Sequence, residues 1–148
     1  MIGAQVYSPP NIGNVAVSSL WNQPEYSDIA IKFSGRSIFC HKVVLCRASD
    51  YFKSWLIKSR ESGVNEVELK DDDPDALEAL LSHIYLRDYD MGSTQPWRFY
   101  LALAIVAQKH LLPDLADIAV VRFRVAALDI EDMSELVLIL RALDVDYE

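Results

Sequence analysis

The chain has 148 residues, 51% of them hydrophobic and 24% charged, which suits one soluble domain with its own core and no need of a covalent staple. Its 14 Lys and Arg stand against 22 Asp and Glu, a net charge of −8. That acidic excess argues against nucleic acid and against an anionic membrane surface, both of which are held by clustered cations.

The first stretch carries Gly3, Pro9, Pro10 and Gly13 and reads as a loose arm with one short extended piece over residues 4–7. Val15, Val17, Leu20 and Trp21 then suggest a short helix that ends near Pro24. Residues 28–33 alternate: Ile29, Ile31 and Phe33 share one face, Asp28, Ala30 and Lys32 the other. That is the period of a strand with one buried side. Ser34-Gly35-Arg36 is a turn, and the β-prone run 37–40 completes a hairpin.

After His41 the period changes. Val43, Val44 and Leu45 begin a short helix, and Ser49 is placed to cap a second one with Phe52, Trp55 and Leu56 at helical spacing. Residues 58–64 read as a loop. Residues 66–69 alternate again, with Glu66 and Glu68 outward and Val67 and Leu69 inward, as a third strand. Lys70-Asp71-Asp72-Asp73-Pro74 is the clearest local signal: Asp73 can accept from free amides at a helix start, and Pro74 needs no donor in the first turn. Leu77, Leu80, Leu81, Ile84 and Tyr85 then form one apolar stripe. Residues 87–96 are a polar loop.

Residues 97–112 are apolar on nearly all sides and predict a central buried helix that Pro113 ends. A further helix over 114–128 should turn Leu115, Ile118, Ala119, Phe123 and Ala126 inward. Asp129 is placed to cap a last one with a stripe of Met133, Leu136, Val137 and Leu140. Its unbroken aliphatic run at 136–140 wants cover on two sides, from its own domain, a partner subunit or further helices. A small sheet formed early and helices afterwards imply an α+β fold. The chain divides into an arm over 1–24, a core over 25–128 and a helical extension over 129–148.

Two cysteines are too few for a secreted disulfide framework and point to a reducing compartment, cytoplasm or nucleus. The N-terminal residues lack a basic start and a long apolar run, so no secretory signal is expected. The longest apolar stretch, residues 99–107, is too short for a bilayer.

The ordered signatures Tyr26-Ser27-Asp28-Ile29, Phe39-Cys40-His41-Lys42-Val43-Val44-Leu45, Ala48-Ser49-Asp50-Tyr51-Phe52, Val67-Glu68-Leu69, Asp72-Asp73-Pro74-Asp75-Ala76-Leu77 and Ile84-Tyr85 resemble a BTB/POZ domain. So does Ala107-Gln108-Lys109-His110-Leu111-Leu112, which is similar to the family's A-x-K-Y-x-L helix. The resemblance runs over residues 26–123. The Asp72-Asp73-Pro74 version with Tyr85, and Asp88-Tyr89-Asp90 after it, resemble the fungal branch. The resemblance implies a three-stranded sheet edged by helical hairpins, homodimerisation, recruitment of partner proteins and no catalysis. Several family members act as substrate adaptors that bind a cullin scaffold of ubiquitin ligases. Asp28 and Lys42 match an acidic and a basic position that line a charged pocket at the dimer centre; the alternative is two solvated charges. Val15, Leu20 and Trp21 lie in the segment that packs across the family's two-fold axis. Leu81 and Tyr85 match the helix that contacts cullin, where core packing is the competing reading. Aligned on Ile84-Tyr85, alanine stands at Ala79 where cullin binders carry glutamate, and Leu86-Arg87 replaces Thr-Gly. Both departures weaken the adaptor reading.

Cys40, His41 and Cys46 admit a metal site, a nucleophile or a strand-to-helix seam. Zinc wants a second pair of ligands at knuckle spacing, and His83 and His110 lie far along the chain. Adjacent strand residues face opposite ways, so His41 is poorly placed to activate Cys40. Cys40 is better read as a small core residue and His41 as a strand-end residue bonded to backbone. No phosphate loop or H-E-x-x-H run is present, and the acids show no catalytic arrangement. Neither an enzyme, a cofactor, a metal nor a small-molecule substrate is expected.

Overall fold

The fold comes from a computed structural model, which describes residues 17–59, 63–86, 95–128, 134–135, 137–139 and 141. Expectations for residues 4–7 and for Val15, Asp129, Met133, Leu136 and Leu140 lie outside them. Residues 17–19 are helical (α1), and Val17, Leu20 and Trp21 pack half-buried against the core. The hairpin follows: β1 is Ile29–Phe33 and β2 is Arg36–Cys40, antiparallel, with Phe33 opposite Arg36 and Ile29 opposite Cys40. Two residues connect them. Ser34 and Gly35 both take positive φ, 48° and 76°, the twist that matches a tight two-residue hairpin.

Two short helices come next, α2 over Lys42–Ala48 and α3 over Asp50–Ser59. Ser49 separates them and caps the second, its Oγ accepting from the Tyr51 and Phe52 amides at 3.1 and 3.5 Å. The chain returns as β3, Glu66–Glu68, which lies parallel to β1, so the order is β2-β1-β3. A parallel return needs a crossover, and α2 and α3 supply it. β1 is therefore the central strand, and its alternation is clean: Ile29, Ile31 and Phe33 are all buried.

α4, Pro74–Leu86, begins as its sequence requires, with Asp73 Oδ1 accepting the Ala76 amide at 2.9 Å. Its apolar stripe is wholly inside. α5 is Trp97–Lys109 and α6 is Pro113–Leu128, packed as a hairpin. Residues 134–135, 137–139 and 141 form part of a last helix, α7, tied back by Trp97 Nε1, which donates to Glu135 Oε1 at 2.7 Å. Among the described residues no helix is long and apolar enough to cross a membrane.

Four expectations are corrected. α3 runs on to Ser59, two residues into the stretch expected to be a loop, because exposed Lys58 continues its solvent face. α5 stops at Lys109, short of Leu112: His110 ends it, the Leu112 amide donates to Ala107 O at 2.9 Å and the Leu111 amide to Gln108 O at 3.2 Å. This is a Schellman closure with leucine at its left-handed position (φ 54°). Nor is α5 buried all round, since Ile105 is exposed beside a groove of about 340 Å³ lined by Trp97, Arg98, Leu101, Ala102 and Leu138. Ile118 of α6 and Val137 of α7 point outward instead of inward, and Ile139, outside the expected stripe, is buried.

Candidate functional site

The β2–α2 seam gathers most of the residues singled out above. Cys40 ends β2 fully buried, and burial pushes its thiol up to about 12. A thiol held that firmly protonated is a core group, not a nucleophile. His41 is buried too. Its amide donates to the Tyr85 hydroxyl at 2.8 Å, its Nδ1 lies 3.0 Å from the same hydroxyl, and its Nε2 lies 3.3 Å from Glu25 O. The network closes when Nε2–H donates to the carbonyl and Tyr85 O–H donates to Nδ1. Tyr85 thus locks the start of α2 onto α4, and its own pKa is raised, first by burial. Its ring also meets Trp21, centroid to centroid 5.6 Å.

Asp28 and Lys42 do come together. Asp28 Oδ1 accepts the Lys42 backbone N–H at 2.7 Å, with Asp28 itself exposed. Among the described residues the two side chains form no ion pair; the carboxylate meets the helix start, and the ammonium is left for other work. Ser27 Oγ, one residue earlier, lies 2.9 Å from Cys40 O and 3.1 Å from Ile29 O and clasps the strand ends. Around this clasp Tyr26 is 82% exposed and Val43 69%, and Phe39 is exposed on the outer face of edge strand β2. Unpaired edge backbone is a template for another chain. Part of this edge is plugged, because the Phe39 amide donates to Asn22 Oδ1 at 3.0 Å.

Leu81 and Tyr85, expected as partner contacts, lie inside: Leu81 is fully buried and Tyr85 2% exposed. They support the surface rather than form it. On the exposed side of α4, Glu78 is held by Arg36 Nη1 at 2.8 Å, and the neighbouring Arg36 Nη2 holds Asp75 at 2.7 Å. Val17, Leu20 and Trp21 are half-buried. Val15, and the acidic Asp88-Tyr89-Asp90, lie outside the described residues.

Sequence reasoning missed Asn22, Ser27 and Arg36 as organisers. Asn22 carried a weak signal, being of a residue type that tolerates its positive φ of 50°. Nothing in the local pattern of Arg36 announces a bond to a helix some forty residues later. Cys46 is half-exposed and apart from Cys40, with no disulfide between them. Among the described residues no group of three or more His, Cys, Asp or Glu is placed to hold a metal.

Known proteins share this fold. Residues 17–119 match the family model described as the BTB/POZ domain. Kelch-like protein 40 of Xenopus tropicalis is 28% identical over 76 residues, 51% of this chain and 12% of that protein. A BTB/POZ domain-containing protein of Arabidopsis thaliana is 31% identical over 118 residues, 77% of this chain and 32% of its own length. The chain therefore spans less than a third of these curated relatives. The BTB domain of human gigaxonin superposes with a TM-score of 0.59 at 18% identity, over 80% of this chain and 97% of that one, a likeness that speaks to fold. With a three-stranded sheet of order β2-β1-β3 and a family match over most of the chain, this protein belongs to the BTB/POZ domain family of protein-interaction modules.

Proposed function

We propose that the chain is a self-associating interaction module of the cytoplasm or nucleus that recruits partner proteins as a homodimer. The observation that carries this reading is the exposed apolar group around the Asp28–Lys42 hydrogen bond: Tyr26, Phe39 and Val43 stand in solvent beside a charged clasp. A buried centre of large side chains with charge at its margin is the usual build of a protein interface. α1, with Leu20 and Trp21, would complete the surface, and the Lys42 ammonium and Asp28 carboxylate would set its register. The arm, core and extension at 1–24, 25–128 and 129–148 then divide dimerisation from partner recruitment. A dimer presents two copies of each recruiting site, so avidity is its means of action.

Sedimentation velocity across a concentration series tests this. The expected result is a species of twice the 16.8 kDa chain mass that weakens on Val43→Asp. A monomer mass at every concentration overturns it.

The adaptor reading is the second proposal and rests on family resemblance. Against it stand Ala79 at the expected glutamate and Glu78 already engaged by Arg36. Titration with the N-terminal domain of a cullin separates the two: saturable binding supports the adaptor, and none at high concentration removes it. Placement in the fungal branch rests on the Asp72-Asp73-Pro74 signature and the acidic triplet; the relatives above, from a frog and a plant, lend it no support.

A further inference from the structure

α6 has two apolar sides. Leu115 and Ala119 are buried on one, with Phe123 and Ala126 half-buried beside them. On the other, Ile118, Val121, Val125 and Leu128 are 38, 57, 56 and 83% exposed. Their spacing is three, then four, then three. At 3.6 residues per turn they fall within an arc of about 80°, turned away from the Leu115–Ala119 side. Singly exposed apolar residues are ordinary on a protein surface, but four at seam spacing on one helix are the pattern of a two-helix contact.

The charges beside the stripe say what fits it. Asp117 and Arg124 border one flank and Arg122 the other, all exposed, and among the described residues none of the three is in an ion pair. When two copies of α6 pair through the stripe, the flank residues of one meet those of the other. With the helices parallel Asp117 comes beside Arg122 of the second copy, whereas the antiparallel register that pairs all four stripe residues, 118 with 128 and 121 with 125, sets Arg124 beside Arg124 and Arg122 beside Arg122. The charges therefore select the parallel pair, in which acid meets base twice by symmetry and Asp114, in line with the stripe one turn before Ile118, faces its own copy only at the open end of the seam. A helix complementary to itself in both grease and charge needs no other sequence as partner.

We propose that the outer face of α6, Ile118, Val121, Val125 and Leu128 with Asp117 and the two arginines, is a self-association surface that binds a second copy of this chain. The stripe shares no residue with the surface around Asp28 and Lys42, so it stands without that reading. Four residues per helix make a small interface, below the roughly 1,200 Å² of stable complexes, so the contact is weak alone. If the Asp28 surface also pairs, two different two-fold contacts link dimers into larger assemblies.

The test is sedimentation velocity of the full chain, wild type against Val121→Asp/Val125→Asp, up to about millimolar subunit, with thermal melts alongside. The expected result is that the variant loses the largest wild-type species while its melting midpoint holds. Where the Asp28 surface pairs, the variant stops at dimer; where it does not, the variant is monomer and the wild type dimer, so the two readings fail separately. A second pair of variants checks the charges: Asp117→Lys and Arg122→Glu/Arg124→Glu each self-associate less than wild type, and mixing them restores the heavier species. A mass distribution unchanged by the double aspartate variant overturns the proposal. So does a lower melting midpoint at unchanged mass, which would mean that the chain's own residues cover the stripe.

Discussion

Asp28 holds Lys42 by its backbone: Oδ1 accepts the Lys42 N–H at 2.7 Å. That amide lies in the first turn of α2, where the N-cap residue His41 offers no side-chain acceptor. A carboxylate reaching over from the foot of β1 therefore does the work of a cap, favoured by the positive end of the helix. Asp28→Ala should lower stability by about 1 kcal/mol, whereas Lys42→Ala, which keeps the amide, should stay within about 0.5 kcal/mol of wild type. Urea denaturation midpoints check this, and equal losses would move the contribution to the ammonium. The distinction matters for any dimer assay, because an Asp28 variant disturbs α2 as well as the charge, and a Lys42 variant disturbs the charge alone.

The Tyr85 hydroxyl satisfies two groups of one residue, the His41 amide and its Nδ1. Tyr85→Phe keeps the ring against Trp21 and leaves both groups buried without a partner. Unlike a truncation it opens no cavity, so the loss reads the polar network alone. The expected cost is about 1–3 kcal/mol, seen as a lower denaturation midpoint with an unchanged slope against denaturant. A Phe variant as stable as wild type would show the hydroxyl to be dispensable.

The two cysteines should separate cleanly in a thiol titration. Cys40 is fully buried with its pKa pushed up to about 12, and Cys46 is half-exposed on α2. An aromatic disulfide reagent at neutral pH should react with one thiol in the native chain and with the second only after denaturant is added. Cys46→Ser should abolish the native reaction. Rapid modification of both in the folded protein would contradict the burial of Cys40.

How far the sequence reaches is visible at the ends of α4 and α5. Asp73 and Pro74 announce the start of α4 because capping is local chemistry, written within four residues. The end of α5 is not announced, because its left-handed residue is Leu111 where glycine is the usual sign, and so the helix reads three residues too long. Alternation identified β3 as a strand with Val67 and Leu69 on one side, yet nothing in it says that β3 lies parallel to β1 and beside it. At the site, the same limit applies. That Asp28 and Lys42 meet follows from their places at the ends of neighbouring strands; which atoms meet is decided by the turn into α2. Whether Tyr85 faces core or partner hung on His41, forty-four residues away in the chain. The Leu111 discrepancy is itself testable: Leu111→Gly should stabilise the protein by about 0.5–1 kcal/mol, since the left-handed penalty exceeds glycine's entropic cost there and the side chain is largely in solvent. A lower midpoint for the glycine variant would mean that the leucine is held by contacts worth more than its strain.

His110 gives the fold a pH dependence. It is fully buried at the end of α5, stacked on Phe52 with Tyr51 edge-on at 4.5 Å, and Ser49 Oγ donates to its carbonyl. Its Nδ1 lies 2.8 Å from Val106 O and donates to it, which leaves Nε2 a lone pair with no hydrogen-bond partner among the described residues. Asp72 lies 3.8 Å from Nε2, and Lys109 already holds that carboxylate at 2.9 Å. Burial lowers the His110 pKa below its usual 6.5, opposed by the Val106 carbonyl and the Asp72 charge and aided by Lys109. The folded chain therefore keeps His110 neutral where the unfolded chain begins to take a proton. Stability from this residue is whole above about pH 6.5, falls by up to about 1.36 kcal/mol per pH unit as pH drops towards the folded pKa, and levels below it. Urea midpoints measured from about pH 7.5 down to about pH 5 should decline more steeply in wild type than in His110→Asn, whose amide can still donate to Val106 O but does not titrate. The comparison of slopes is independent of whatever stability the asparagine itself costs. Parallel slopes would mean that the imidazole is protonated inside the fold, paired to Asp72 in place of Lys109.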